Sequence, residues 1–90
     1  MSIKININPS FYHLTDNKGT VEVNGTTVGQ CLNHLVKQFP GIEKAVFDKK
    51  GNLLNYIDIY VNQESAYPEE LAKPVKDGDE LYIIITLAGG

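Results

Sequence analysis

The sequence predicts an α+β fold in which a mixed sheet of four or five strands packs against one main helix. Apolar and polar residues alternate in stretches near both ends of the chain, as in half-buried strands, and a central stretch has apolar residues at helical spacing. The chain has 90 residues, of which 42% are hydrophobic, enough for one domain with a modest core. We expect a single domain over residues 1–85 and a flexible tail over residues 86–90.

Two strands are predicted in the first part of the chain. Residues 3–7 alternate isoleucine with lysine or asparagine, and Pro9 ends this stretch because proline has no N–H to give to a sheet. Residues 10–19 are expected to form a loop that ends in the turn-forming residues 16–19, and residues 20–23 alternate again. The two strands are expected to pair as a hairpin.

The strongest helix signal covers residues 27–39. Thr27 and Gln30 fit a capping box, in which the threonine hydroxyl accepts a free backbone N–H and the glutamine reaches back. Pro40 ends the helix, since the residue before a proline is disfavoured in helical geometry. Gly29 lowers the helix propensity of the first turn for no reason visible in the sequence. The apolar residues form one stripe at helical spacing: Val28, Leu32, Leu35, Val36 and Phe39.

Two further strands are predicted in the second half. Residues 57–61 alternate isoleucine or valine with polar and tyrosine side chains, and residues 80–85 form the last apolar stretch. Short helical turns are expected within residues 41–47 and 69–71, and a minor strand near residues 53–54. The resulting order is β-β-α-β-β, which is that of a β-grasp fold with the first and last strands adjacent at the centre.

Composition excludes several classes of function. The formal net charge is −3 and the eight basic residues are all lysine, which argues against nucleic-acid binding because arginine provides much of phosphate and base recognition. Cys31 is the single cysteine, so no disulfide framework, zinc cluster or iron–sulfur cluster is predicted. The sequence shows no signal-peptide pattern and no apolar run near the roughly 20 residues of a membrane span. A cytoplasmic location without membrane contact is therefore expected.

The most distinctive chemical feature is the terminal Gly89-Gly90 pair, which follows a strand. Five residues, 86–90, can reach about 17 Å at 3.3–3.6 Å per residue, enough to enter the active site of another protein. Glycine suits the tip because it has no Cβ and allows close approach of another backbone. The Gly90 carboxylate becomes reactive if ATP adenylates it, after which a persulfide or an amine can attack the carbonyl. The competing interpretation is an ordinary frayed terminus.

Other polar residues are assigned structural roles. Five clustered carboxylates are interpreted as turn-forming or solvated surface groups rather than as acid–base or magnesium ligands: Glu69, Glu70, Asp77, Asp79 and Glu80. Cys31 is expected to be buried, and His13 and His34 to lie on the surface. No catalytic residue and no metal ligand is predicted.

Strand alternation places a group of apolar side chains on the outer face of the sheet. Tyr60, Tyr82 and Ile84 are expected to form a patch beside the tail, where a partner enzyme would dock. The alternative is that they are ordinary cross-strand pairs that cover the sheet.

Several segments resemble one known family over nearly the whole chain. They are the opening Ile/Lys/Asn strand, the helix of residues 27–39, and the segments Tyr56-Ile57-Asp58-Ile59-Tyr60-Val61-Asn62, Asp77-Gly78-Asp79-Glu80 and Ala88-Gly89-Gly90. The chain resembles the MoaD/ThiS sulfur-carrier family, which is ubiquitin-like, and is most similar to its MoaD/CysO-like branch. It departs from many tails of this family at Thr86-Leu87, where those tails often have proline.

The resemblance implies specific partners. A ubiquitin-activating-type adenylating enzyme would use ATP to form an acyl-adenylate on Gly90, and sulfur transfer would give a thiocarboxylate. The segment Leu87, Ala88, Gly89 and Gly90 would thread into the partner's active site. A sulfur-accepting enzyme, either a cysteine synthase or the molybdopterin synthase large subunit, would consume the sulfur in cysteine, molybdopterin or tungstopterin, or thiamine biosynthesis. A JAMM-type protease is a further candidate partner. No intrinsic cofactor is implied.

Two alternatives remain at this point. A ubiquitin-like modifier joined through Gly90 to lysines of target proteins would use the same tail and the same activation chemistry. A non-covalent β-grasp binding module would leave the tail unexplained, because the fold alone does not determine function. An enzyme is the weakest interpretation, since no pairing of nucleophile and base is visible.

Overall fold

A five-stranded mixed sheet forms the frame of the computed structural model, which describes residues 2–86. The strand order is β2-β1-β5-β3-β4, with β1 and β5 parallel and the other neighbours antiparallel. The predicted adjacency of the first and last strands is confirmed. The strands are β1 Ile3–Asn6, β2 Thr20–Val23, β3 Ile57–Val61, β4 Glu64–Ser65 and β5 Glu80–Ile85.

The main helix, α1, spans Val28–Gln38. Thr27 caps its first turn, since its hydroxyl oxygen accepts the Gln30 N–H at 3.2 Å. The Gln30 side chain reaches back as predicted, but to Thr26, whose N–H and hydroxyl donate to its Oε1 at 2.8 and 2.9 Å. The cap is therefore shared between two threonines, which fixes the direction in which the chain enters the helix.

The core lies between α1 and the inner face of the sheet. Strand alternation directs one set of side chains inward, and the apolar stripe of α1 covers them. Burial of each large apolar side chain stabilises the fold by roughly 1.5–3 kcal/mol. The central strand β5 contributes the fully buried Leu81 and the nearly buried Ile83. The largest fully buried side chains on the other elements include Ile3, Ile5, Leu32, Leu35 and Ile59.

Gly29 is explained by close packing of α1 against the 3-10 helix Glu70–Ala72. A Cβ at position 29 would lie 3.1 Å from the Leu71 carbonyl oxygen and 3.3 Å from the Leu71 Cβ. The absence of a side chain lets this helix approach, at the cost of helix propensity.

Three segments differ from the sequence-based expectation. The fifth strand of the sheet is β4, Glu64–Ser65, which no sequence pattern predicts. Within the expected loop of residues 10–19, the chain forms a 3-10 helix, Pro9–Leu14, because the Asn8 side chain accepts the Ser10 N–H and Phe11 is buried. The minor strand near residues 53–54 is only an isolated bridge between Phe47 and Leu53. The helical turn predicted within residues 41–47 is present as Pro40–Ile42 followed by α2, Glu43–Val46.

Candidate functional site: the exit of the central strand

The central strand β5 ends at Ile85, and Thr86, which follows it, is the last described residue; we call this position the chain exit. The Thr86 N–H donates to the Tyr56 carbonyl oxygen at 2.8 Å. This bond lies one residue beyond the Ile57–Ile85 pair, which is the last pair of the β3–β5 register. The main chain is therefore held by the sheet up to its last described residue. The predicted threading segment, Leu87, Ala88, Gly89 and Gly90, lies outside the described residues.

The structure brings the three predicted docking residues together on the outer face of the sheet. Tyr60 and Tyr82 are direct partners in the antiparallel β3–β5 register, and Ile84 lies two residues further along β5, towards Thr86. All three are half-buried, so each ring or side chain packs on its neighbours and still presents a surface. We call Tyr60, Tyr82 and Ile84 the outer patch.

Polar groups border the outer patch on both sides. Towards β1, Asn6 lies beside Tyr82, and its amide donates to Glu80 Oε1 at 3.1 Å and to the Leu81 carbonyl at 3.3 Å. Towards β4, the Ser65 hydroxyl lies 3.0 Å from both carboxylate oxygens of Asp58, which is the register partner of Ile84. An apolar centre with a hydrogen-bonded polar border is the usual composition of a protein-binding surface.

A cleft of about 350 Å³ opens beside Thr86. Tyr67 lies at this cleft with 73% of its surface exposed, and its N–H donates to the Ser65 hydroxyl at 3.2 Å. Tyr56, which holds Thr86, is itself 45% exposed. Sequence reasoning missed Tyr67 as a neighbour of the chain exit; the Tyr67-Pro68 pair indicates a loop, but only the fold places that loop here.

Asp79 is the most buried of the five clustered carboxylates and departs from the predicted solvated state. It is 8% exposed, and its carboxylate accepts the Lys76 N–H at 2.9 Å and the Asn62 amide at 3.1 Å. The Lys76 N–H is the main cause that holds the pKa of Asp79 below its ordinary value; burial opposes this, and the Asn62 amide adds to it. The role of Asp79 is to fix the turn that leads into β5.

The other singled-out polar residues have structural roles. Cys31 is fully buried, as predicted, and burial raises the pKa of its thiol, which makes it a poor nucleophile. His13 is exposed, as predicted. His34 is half-buried instead, and its Nδ1 accepts the Asn24 N–H at 2.8 Å.

Residues 2–86 contain neither a metal-binding cluster nor a membrane-spanning helix. No group of three or more His, Cys, Asp or Glu side chains there is arranged to hold a metal ion. No helix in that part of the chain has the length and apolar character needed to cross a membrane.

Comparison with known proteins identifies a family. A family model described as the ThiS family matches residues 5–90. The sulfur carrier protein CysO of Mycobacterium tuberculosis is 29% identical over the whole of both chains. The small archaeal modifier protein 1 of Haloferax volcanii is 37% identical over 71 residues, which cover 78% of each chain.

A solved structure confirms the predicted architecture. A chain in the crystal structure of the Amycolatopsis orientalis BexX/CysO complex superposes with a TM-score of 0.88 at 29% identity, covering 98% of this chain and 99% of that one. The likeness spans the sheet and helix together, so the β-grasp, ubiquitin-like assignment is confirmed.

Proposed function

Since the chain belongs to the ThiS family of sulfur-carrier proteins, we propose that it carries its sulfur as a thiocarboxylate on Gly90. The observation that supports this most is the position of the chain exit. The central strand ends at Ile85, Thr86 follows two residues beyond Ile84 of the outer patch, and four more residues follow Thr86 in the sequence. Fully extended, four residues span at most about 14 Å, which brings the Gly90 carboxylate within reach of a second protein seated on that patch.

The proposed chemistry has two stages, and the first activates the carboxylate. A carboxylate oxygen of Gly90 attacks the α-phosphorus of ATP, and pyrophosphate leaves, giving an acyl-adenylate. At this stage the chain positions its own Gly90 carboxylate, and the partner enzyme supplies the catalytic groups. Thr86 is fixed by its bond to Tyr56, and glycine at the tip leaves room for enzyme groups around the reacting carbonyl.

Sulfur transfer forms the second stage. A persulfide sulfur of the partner attacks the acyl carbon, and AMP leaves with the electron pair of the broken C–O bond. A thiol then attacks the resulting acyl disulfide, so that the S–S bond breaks, the thiol becomes part of a new disulfide, and the thiocarboxylate remains on Gly90. The buried Cys31 has no part in either stage.

The proposed partners follow from this chemistry. An ATP-dependent, ubiquitin-activating-type adenylating enzyme supplies ATP and docks on the outer patch. A sulfur-accepting enzyme then consumes the thiocarboxylate; the likeness to CysO favours a cysteine synthase over the molybdopterin synthase large subunit. A JAMM-type protease belongs to the same proposal, as the enzyme that would release a product left attached to the tail.

Intact mass tests the carrier proposal. The chain is expressed together with an adenylating enzyme of the ubiquitin-activating type from the same organism and purified without reducing agents. A mass gain equal to the replacement of one oxygen by one sulfur, mapped to Gly90 by fragmentation, is the expected result. An unmodified mass, although the adenylating enzyme is shown to be active in the same cells, would refute the thiocarboxylate.

A second candidate function is conjugation to other proteins. The likeness to small archaeal modifier protein 1 favours it, because the name of that relative describes a modifier. In this case a lysine amine, rather than a persulfide, attacks the acyl carbon. Adducts of higher mass that retain a Gly-Gly remnant on target lysines after proteolysis would establish conjugation, and their absence from cells that form the thiocarboxylate would leave the carrier function alone.

A further inference from the structure

The two edges of the sheet differ in length. β4 has two residues, whereas β2 has four and forms the longer edge of the described sheet. The unpaired backbone groups of such an edge can bond to a strand of another chain, so natural proteins protect their edges.

The hydrogen-bond pattern identifies which backbone groups of β2 point away from the sheet. Ile7 N–H donates to the Gly19 carbonyl at 2.9 Å, and the antiparallel register then pairs Ile5 with Val21 and Lys4 with Glu22. Antiparallel pairs alternate between hydrogen-bonded and non-hydrogen-bonded types. Val21 therefore bonds to β1, and the N–H and carbonyl of Glu22 point outward.

Two side chains of α1 cover the outward groups at the end of β2. Gln38 Nε2 donates to the Glu22 carbonyl at 3.0 Å, and His34 Nδ1 accepts the Asn24 N–H at 2.8 Å. His34 and Gln38 are four residues apart and therefore lie on one face of the helix. Together they occupy the Glu22 carbonyl oxygen and the Asn24 N–H, an acceptor and a donor to which an added strand would need to bond.

We propose that His34 and Gln38 close the β2 edge against strand addition by a second copy of this chain. A second copy is the natural occupant because main-chain pairing needs no particular side chains, and two β2 edges related by a two-fold axis would join two sheets into one. Closure keeps the chain monomeric, so each copy diffuses between partners with its outer patch free. This inference is independent of the thiocarboxylate chemistry.

Variants of the two residues test the proposal. His34→Leu removes the acceptor, and Gln38→Met removes the donor at nearly constant length. His34→Asn is the matched control, because its amide oxygen can still accept the Asn24 N–H. The first readout is hydrogen exchange of the Asn24 amide, which should accelerate by about tenfold or more in His34→Leu and much less in His34→Asn.

The second readout is molecular mass by light scattering over a range of concentrations. The wild type and His34→Asn should keep the mass of one chain, and the His34→Leu/Gln38→Met double variant should approach that of two. Adding Glu22→Pro, which removes an outward-facing N–H, should restore the single-chain mass.

Two results would overturn the proposal. One is a double variant that stays monomeric at every concentration although the Asn24 amide exchanges faster. The other is association that persists when Glu22→Pro is added, which would locate the contact on another surface. If circular dichroism shows that the double variant is unfolded, each single variant is measured in the same way, and a single-chain mass in both also rejects the proposal.

Discussion

Asn62 and Asp79 join the end of β3 to the turn that precedes β5. The Asn62 amide donates to Asp79 Oδ1 at 3.1 Å, and the Glu80 N–H donates back to Asn62 Oδ1 at 3.0 Å. Asn62 has a positive φ of 56°, a conformation that asparagine tolerates better than most residues. This pair sets where the central strand begins, and through the strand it sets the position of Thr86.

Replacement of Asp79 should lower stability at neutral pH. The Asp79→Asn side chain has only one accepting oxygen, so it cannot accept from both the Lys76 N–H and the Asn62 amide, and one part-buried hydrogen bond is lost. The expected loss in the free energy of unfolding is about 1–3 kcal/mol, measured by urea unfolding. Asp77→Asn is the control on the same turn, since Asp77 is exposed; an equal loss there would contradict a specific role for Asp79.

The effect of Asp79 should depend on pH. Its pKa is lower in the folded chain than in the unfolded chain, so protonation favours unfolding. The stabilisation is fully present above about pH 4, the ordinary pKa of an aspartate, and is lost as the pH falls through the lower folded value. The difference in unfolding free energy between wild type and Asp79→Asn should therefore shrink on acidification. A constant difference across the acid range would exclude this linkage.

Gly25 should not tolerate alanine. A Cβ there would lie 2.9 Å from both the backbone nitrogen and the Sγ of Cys31, which is fully buried. Gly25→Ala is expected to lower the free energy of unfolding by about 1–3 kcal/mol through overpacking. Gly41→Ala is the matched control, because its Cβ would meet only Leu14 Cδ2, at 3.7 Å. Thermal unfolding that fails to separate the two variants would show that the Gly25 turn can shift without cost.

Tyr82 should be needed for activation more than for folding. It is half-buried at the centre of the outer patch, opposite Tyr60. Tyr82→Ala is expected to reduce adenylation by the partner enzyme by about tenfold or more, because central aromatic residues dominate binding energy at interfaces. Glu22→Ala, exposed on β2 and two strands away from β5, should leave the rate unchanged. The measurement is ATP–pyrophosphate exchange at subsaturating carrier, and equal rates for the two variants would place docking elsewhere.

Removal of Gly90 should abolish activation without changing stability. The deletion moves the terminal carboxylate by about 3.3–3.6 Å, and misplacement of a reacting group by even 1 Å can cost about 100-fold in rate. Urea unfolding should be unchanged, since glycine has no side chain to contribute to the core. Pyrophosphate exchange that proceeds at the wild-type rate would show that the reacting carboxylate is not that of Gly90.

Local sequence patterns predict four of the five strands, the main helix and the fold class. Residues 20–23, 57–61 and 80–85 were each predicted to be strands and are strands, because alternation of apolar residues is a local property that burial of one sheet face imposes. The start of α1 at the Thr27 cap and its end before Pro40 also depend only on residues that are neighbours in the sequence. The outer patch followed from the same alternation.

Only the tertiary structure decided which distant groups meet. Asn62 and Asp79 are 17 residues apart, Gln38 and Glu22 are 16 apart, and Thr86 bonds to Tyr56 across the sheet. The need for glycine at position 29 is explained only by the close approach of Leu71, which the fold brings against it. Such contacts depend on strand order and helix packing, which no short sequence pattern encodes. For that reason strand alternation could place the outer-patch residues on one face of the sheet, whereas the Thr86–Tyr56 bond and the bonds of α1 to the β2 edge required the fold.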